Sequence, residues 1–96
     1  MRLDDFERSA IVRSIVEIDP SAEVWLIGSR TIDSAKGGDI DLLVISSRIG
    51  FSEKLDLLIA LKTVLSDQKI DLRIVSPEHR ATDAFAAAVL PAAVRL

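Results

Sequence analysis

The chain has 96 residues, 49% of them hydrophobic and 28% charged, which is material for a single globular domain, residues 1–96, and argues against disorder. Zero cysteines and one histidine exclude a disulfide scaffold, a thiolate zinc site and a cysteine nucleophile, so any metal must sit on carboxylates. A formal net charge of -3 argues against bulk binding to nucleic acid, and the longest uncharged apolar stretch, residues 84–94, is broken by Pro91 and falls short of the ~20 residues a membrane span needs, so a soluble, cytoplasmic protein is expected.

Asp4 followed three residues later by Glu7 reads as a capping box, and Ile11, Val12, Ile15 and Val16 then share a helical face, predicting a first helix over residues 4–18. Pro20 ends it. Val24, Trp25, Leu26 and Ile27, closed by Gly28, form a short run of strand formers, the first strand. Residues 29–38 are polar and end in Gly37-Gly38, the composition of a loop. A second strand over residues 40–46 carries the unbroken apolar run Leu42 to Ile45, the pattern of a strand covered on both faces by other elements.

Ser52 as a cap and Glu53 in the first turn precede Leu55, Leu58, Ile59, Leu61, Val64 and Leu65 at helical spacing, giving a second helix up to Asp67. Over residues 69–75 the alternation puts Ile70, Leu72 and Ile74 on one side of a third strand and Asp71 and Arg73 on the other. Ser76-Pro77 then opens a last helix through Phe85 and Val89, ended or kinked by Pro91. The order α-β-β-α-β-α predicts an α/β or α+β domain with a small mixed sheet of about three strands flanked by helices. The β-α-β unit between the second and third strands favours a parallel crossover, with an antiparallel return as the alternative. The apolar tail, with Phe85, Val89, Leu90, Val94 and Leu96, serves either as a covering helix or as a partner-binding surface.

The residues with chemistry are Gly28-Ser29 at the end of the first strand, Asp39 and Asp41 at the start of the second, and Asp71 near the start of the third. Positions i and i+2 of a strand point the same way, so Asp39 and Asp41 form a carboxylate pair, and two like charges that close need a cation between them. For hard oxygen ligands that cation is Mg²⁺. With the third strand parallel to the second, Asp71 comes level with the pair, and three carboxylates can bridge two Mg²⁺ ions that activate a hydroxyl and stabilise a pyrophosphate leaving group. Gly28 permits close backbone approach and Ser29 offers a hydroxyl to phosphate; a nucleoside triphosphate is the substrate these groups fit. His79 and Trp25 read as a surface and a packing residue, Asp33 as a turn residue, and Arg73 as a carboxylate partner.

The run Leu26-Ile27-Gly28-Ser29-Arg30, nine residues from Arg30 to Gly38, and then Asp39-Ile40-Asp41-Leu42-Leu43-Val44 resembles the Gly-Ser, loop, Asp-x-Asp signature of the DNA polymerase beta nucleotidyltransferase superfamily. The stretch Ile70-Asp71-Leu72-Arg73-Ile74-Val75 is similar to that superfamily's third carboxylate strand. The resemblance is strongest to the minimal nucleotidyltransferases found beside HEPN-domain ribonuclease toxins. It implies a nucleotidyltransferase fold, nucleotide binding by Gly28, Ser29 and Arg30, two Mg²⁺ ions on Asp39, Asp41 and Asp71, ATP as substrate, and Asp71 assisting deprotonation of the acceptor hydroxyl. It further implies an antitoxin that transfers AMP to a tyrosine of a HEPN-type toxin, with neutralisation of that partner by direct binding as the alternative. Many minimal members continue Gly-Ser-Arg-Ala-Arg-Gly and precede the carboxylates with serine. Here the run is Gly28-Ser29-Arg30-Thr31-Ile32-Asp33, the loop is one residue shorter, and Gly38 stands before Asp39, leaving Arg30 and Lys36 as the loop's basic phosphate candidates.

Overall fold

The computed structural model describes residues 3–28, 39–65 and 68–96. Helix α1, Asp5–Ile18, starts at the expected capping box: the Glu7 N–H donates to Asp4 Oδ1 at 2.7 Å and the Asp4 N–H to Glu7 Oε1 at 3.2 Å, satisfying two of the helix's orphan donors reciprocally. Strand β1, Glu23–Ile27, is followed by β2, Asp39–Ile45, helix α2, Phe51–Leu65, and strand β3, Lys69–Val75. Strand β2 begins one residue earlier than its apolar run suggests because Asp39 pairs in register with Lys69. Where the sequence predicts one last helix, the chain makes a 3₁₀ turn at Pro77–His79, a short helix α3 at Ala84–Val89, a second 3₁₀ turn at Leu90–Ala92 and a two-residue strand β4, Val94–Arg95. The Ser76 hydroxyl does not cap a backbone group and instead meets Nδ1 of the exposed His79 at 2.7 Å. Asp83 takes the capping role for α3, accepting from the Ala86 N–H at 2.9 Å.

The sheet is four-stranded with order β3-β2-β1-β4, one strand more than expected. Strand β1 runs antiparallel to both β2 and β4, whereas β2 and β3 are parallel, which settles the alternative left by the crossover. Each sheet face builds its own core. On one, Ile40, Leu42 and Val44 of β2 meet Ile11 and Ile15 of α1 and Leu57, Leu61 and Leu65 of α2. On the other, Leu43 and Ile45 meet Ala86, with Phe85, Val89 and Leu90 packed alongside. Strand β2 is therefore apolar on both faces for the reason its sequence implied, and the C-terminal tail is a covering layer. Each fully buried Leu, Ile or Val among them contributes about 1.5–3 kcal/mol on leaving water. Helix α2 carries a second apolar stripe, Phe51, Leu55 and Ile59, that stays exposed. Among the described residues, no helix is long and apolar enough to cross a membrane.

Away from the Asp-rich strand ends, a buried polar cluster ties two turns together. Ser46, just past β2, donates its hydroxyl to Asp19 Oδ2 at 2.6 Å, while its oxygen accepts from the Arg48 and Ile49 N–H groups. Asp19 also accepts from the Ser21 N–H at 3.0 Å and is 3% exposed. The Ser46 hydrogen bond, against an opposing push from burial and with help from Ser21 and Arg48, holds the Asp19 carboxyl below its ordinary value. Glu23 is also lowered: burial pushes it upward, but the hydrogen bonds from Arg80 and Trp25 and the charges of Arg80 and Arg95 outweigh it.

A carboxyl depressed in the folded state contributes stability above its unfolded value of about 3.9 and loses it as pH falls through the folded value. Urea unfolding should therefore show stability flat from neutral pH to about 5 and declining below about 4, with a shallower acid decline in Asp19→Asn. Ser46→Ala, which strands a buried carboxylate, should cost about 1.5–3 kcal/mol at pH 7 and steepen no other part of the profile.

Candidate functional site

Two registers bring three of the predicted residues, Gly28, Asp41 and Asp71, into one neighbourhood. In the antiparallel pair Ile27 stands opposite Asp41, and in the parallel pair Asp41 stands opposite Asp71. Neighbouring strands lie about 4.8 Å apart, so the two aspartates occupy adjacent positions in one row across β2 and β3, on the face that α3 covers only in part. The alternation of β3 leaves Asp71 exposed between the buried Ile70 and Leu72.

Gly28, the residue after β1, has φ +79, the left-handed region that glycine enters without steric penalty. A β-carbon at this position would sit 2.5 Å from Asp41 Oδ2 and 3.4 Å from its Cγ. The glycine is thus required twice, for its backbone angle and because the Asp41 carboxylate lies where a side chain would be. Asp41 is itself half-buried, and this wall fixes one side of its carboxylate.

Gly28, Asp41 and Asp71 line one cleft of about 510 Å³ together with Ile27, Leu42, Leu72, Arg73, Phe85 and Val89. Its chemistry is divided: carboxylates at the strand ends, and an apolar wall from α3. Asp39 is the first residue of β2, two positions before Asp41 and in register with Lys69. Ser29 and Arg30, the other predicted nucleotide contacts, lie outside the described residues, as do Asp33 and Lys36. Among the described residues, no group of three acidic, histidine or cysteine side chains gathers as a metal cage; the described pair is Asp41 and Asp71. Carboxylates on adjacent strands facing an open cleft are a hard-oxygen donor set of the kind Mg²⁺ takes with its own waters and substrate phosphates.

The structure adds two wall residues that periodicity did not assign to the site, Phe85 and Val89. Helical spacing placed them on a helix, but their approach to β3 depends on where the 3₁₀ turn after β3 sends the chain. Arg73, expected to pair with a carboxylate, instead lays its guanidinium over the Phe85 ring, 4.3 Å from the centroid. Trp25 packs against the second core as expected, with its indole N–H donating to Glu23 Oε1 at 3.0 Å and Arg80 and Arg95 over its ring. His79 is exposed and lies outside the cleft.

A family model described as nucleotidyltransferase domain matches residues 8–90. No curated protein matches the chain.

Gly28→Ala should destabilise the fold by about 1–2 kcal/mol from backbone strain alone, plus the displacement of Asp41. The second part is separable: in an Asp41→Ala background the Gly28→Ala cost should shrink, and a double-mutant cycle on unfolding free energies reads that coupling. Strict additivity would mean that the glycine and the carboxylate do not share the space the geometry assigns them.

Proposed function

Since this chain belongs to the nucleotidyltransferase domain family, we propose that it transfers AMP from ATP to a hydroxyl, a tyrosine in a HEPN-type toxin, and so acts as that toxin's antitoxin. The observation that carries the transfer is Asp41 set level with Asp71 by the parallel register, with Gly28 against the Asp41 carboxylate, all three lining one cleft. Domains of this family generally use a nucleoside triphosphate and a divalent metal. Asp41 and Asp71, with Asp39, would hold two Mg²⁺ ions, which neutralise phosphate charge and make the acceptor hydroxyl more acidic.

The chain's own residues supply the rest. Gly28 adds no side chain of its own between its backbone and an approaching phosphate. In the transfer the acceptor oxygen bonds to the α-phosphorus, the bond from that phosphorus to the bridging oxygen of the β-phosphate breaks, and its electron pair leaves with pyrophosphate. The acceptor proton passes to Asp71, whose exposure on an edge strand lets a hydroxyl carried on a macromolecule reach it. An acceptor that is itself a folded protein suits a site placed at the sheet's margin.

A second reading is neutralisation by binding alone. The exposed stripe Phe51, Leu55 and Ile59 on α2 favours it, because apolar patches of this kind mark contact surfaces. One experiment separates the two. Intact mass of a copurifying HEPN-type protein, after incubation with this chain, Mg²⁺ and ATP, should rise by one AMP. Asp39→Asn/Asp41→Asn should lower that rate roughly 100-fold or more, the loss of several kcal/mol of charge stabilisation. An unmodified yet silenced partner would reject transfer in favour of binding.

A further inference from the structure

Arg73 stands two residues after Asp71 on the same side of β3 and lines the same cleft as both carboxylates. Among the described residues it is the one basic side chain lining that cleft. Its guanidinium makes no hydrogen bond or ion pair with them and lies instead over the Phe85 ring, 4.3 Å from the centroid. A strand advances about 6.6 Å over two residues, so a pairing with Asp71 was sterically open to it, and the ring holds it elsewhere. Phe85 is itself fixed: it packs against the second core, and Asp83 caps the turn of helix on which it sits.

An arginine whose guanidinium is held over a ring has part of its rotamer entropy already spent, while its N–H donors are not taken up by a hydrogen bond to the cleft's carboxylates. A guanidinium receives a carboxylate or a phosphate in a fork, and Arg73 makes no such pair with the cleft's own carboxylates, so phosphate is the anion it suits. The cleft's two carboxylates cannot serve as direct anion contacts. We propose that Arg73, positioned by Phe85, is a polyphosphate-binding residue of this site: it grips the β- and γ-phosphates of the bound triphosphate and holds the pyrophosphate as it leaves. The proposal rests on the nucleotidyl-transfer reading above and adds a residue to it. In chemical terms, Arg73 takes the phosphate oxygens that lie towards β3, and its fixed positive charge stabilises the electron pair that the breaking bond delivers to the departing pyrophosphate.

The test is isothermal titration of the full chain with Mg²⁺-pyrophosphate and with Mg²⁺-α,β-methylene-ATP, which needs no acceptor. Arg73→Gln should weaken both roughly 10- to 100-fold, the worth of a charge-assisted forked pair. Arg73→Lys should recover only part of this, because a point charge cannot make the fork. Phe85→Leu should weaken both several-fold, and in an Arg73→Gln background the same change should cost little further binding, because the ring acts through the guanidinium. Because Arg73 is exposed, both Arg73 variants should melt near the wild-type temperature, and the Phe85 variants are compared at a temperature at which each is folded. Wild-type binding with an Arg73→Gln variant that binds equally well would overturn the inference and leave the transfer reading standing. A wild-type chain that binds neither ligand would overturn the transfer reading, and the role of Arg73 with it.

Discussion

The parallel pairing of β2 with β3 is the constraint on which the site depends. A parallel neighbour cannot be reached by a tight turn, so the chain must cross the sheet and come back, and α2 is that crossing. Its inner residues Leu57, Leu61 and Leu65 bury against the same core as Leu42 and Leu72, which sets how far along β2 the returning strand lies. Asp41 opposite Asp71 follows from that setting. A slip of one residue would turn Asp71 into the core and bring Leu72 out, and both the apolar set and the carboxylates resist it. The other half of the site is fixed by β1, whose antiparallel register delivers Gly28 to the flank of Asp41. The candidate site, assembled from three strands, thus owes its geometry to hydrophobic packing at a distance.

Polar structure at the far end of the sheet complements this. Ser46 leaves β2 and reaches across to Asp19 in the turn between α1 and β1, so the two segments that enter and leave the central strands are held to each other. A buried carboxylate kept charged by short hydrogen bonds is costly to disturb and specifies one arrangement of its partners. Glu23 with Arg80 at 3.0 Å does a looser version of the same work nearer the surface, fastening the segment after β3 to β1.

Much of this was legible in the sequence, for identifiable reasons. The capping box at Asp4 and Glu7 is a local device and is visible locally. Strand β2 showed its central position through an apolar run without alternation, and β3 showed its half-exposed position through alternation. The candidate carboxylates followed from strand parity once the strands were placed. Helix α2 was harder: Leu55, Ile59 and Val64 fit the helical period as well as Leu57, Leu61 and Leu65 do, and period alone does not say which stripe faces the sheet. The tail divided into two 3₁₀ turns, α3 and β4 because Pro77 and Pro91 interrupt it and because the free edge of β1 offers Val94 and Arg95 hydrogen-bonding partners, a tertiary opportunity that no local pattern announces. The same holds for Arg73 on Phe85, a contact across 12 positions of chain that depends on where two turns deliver a ring.

One consequence of the strand order concerns solubility. With β4 covering the outer side of β1, the sheet's long open margin among the described residues is β3, seven residues of which Ile70, Leu72, Ile74 and Val75 are apolar. Such a strand is a template on which another chain could add itself, and charges spaced along it are what discourage that. Here Lys69, Asp71 and Arg73 provide the spacing. The side chains we propose for metal and phosphate thus also serve as gatekeepers against aggregation, and a variant that replaced Asp71 and Arg73 with apolar residues would acquire a sticky edge.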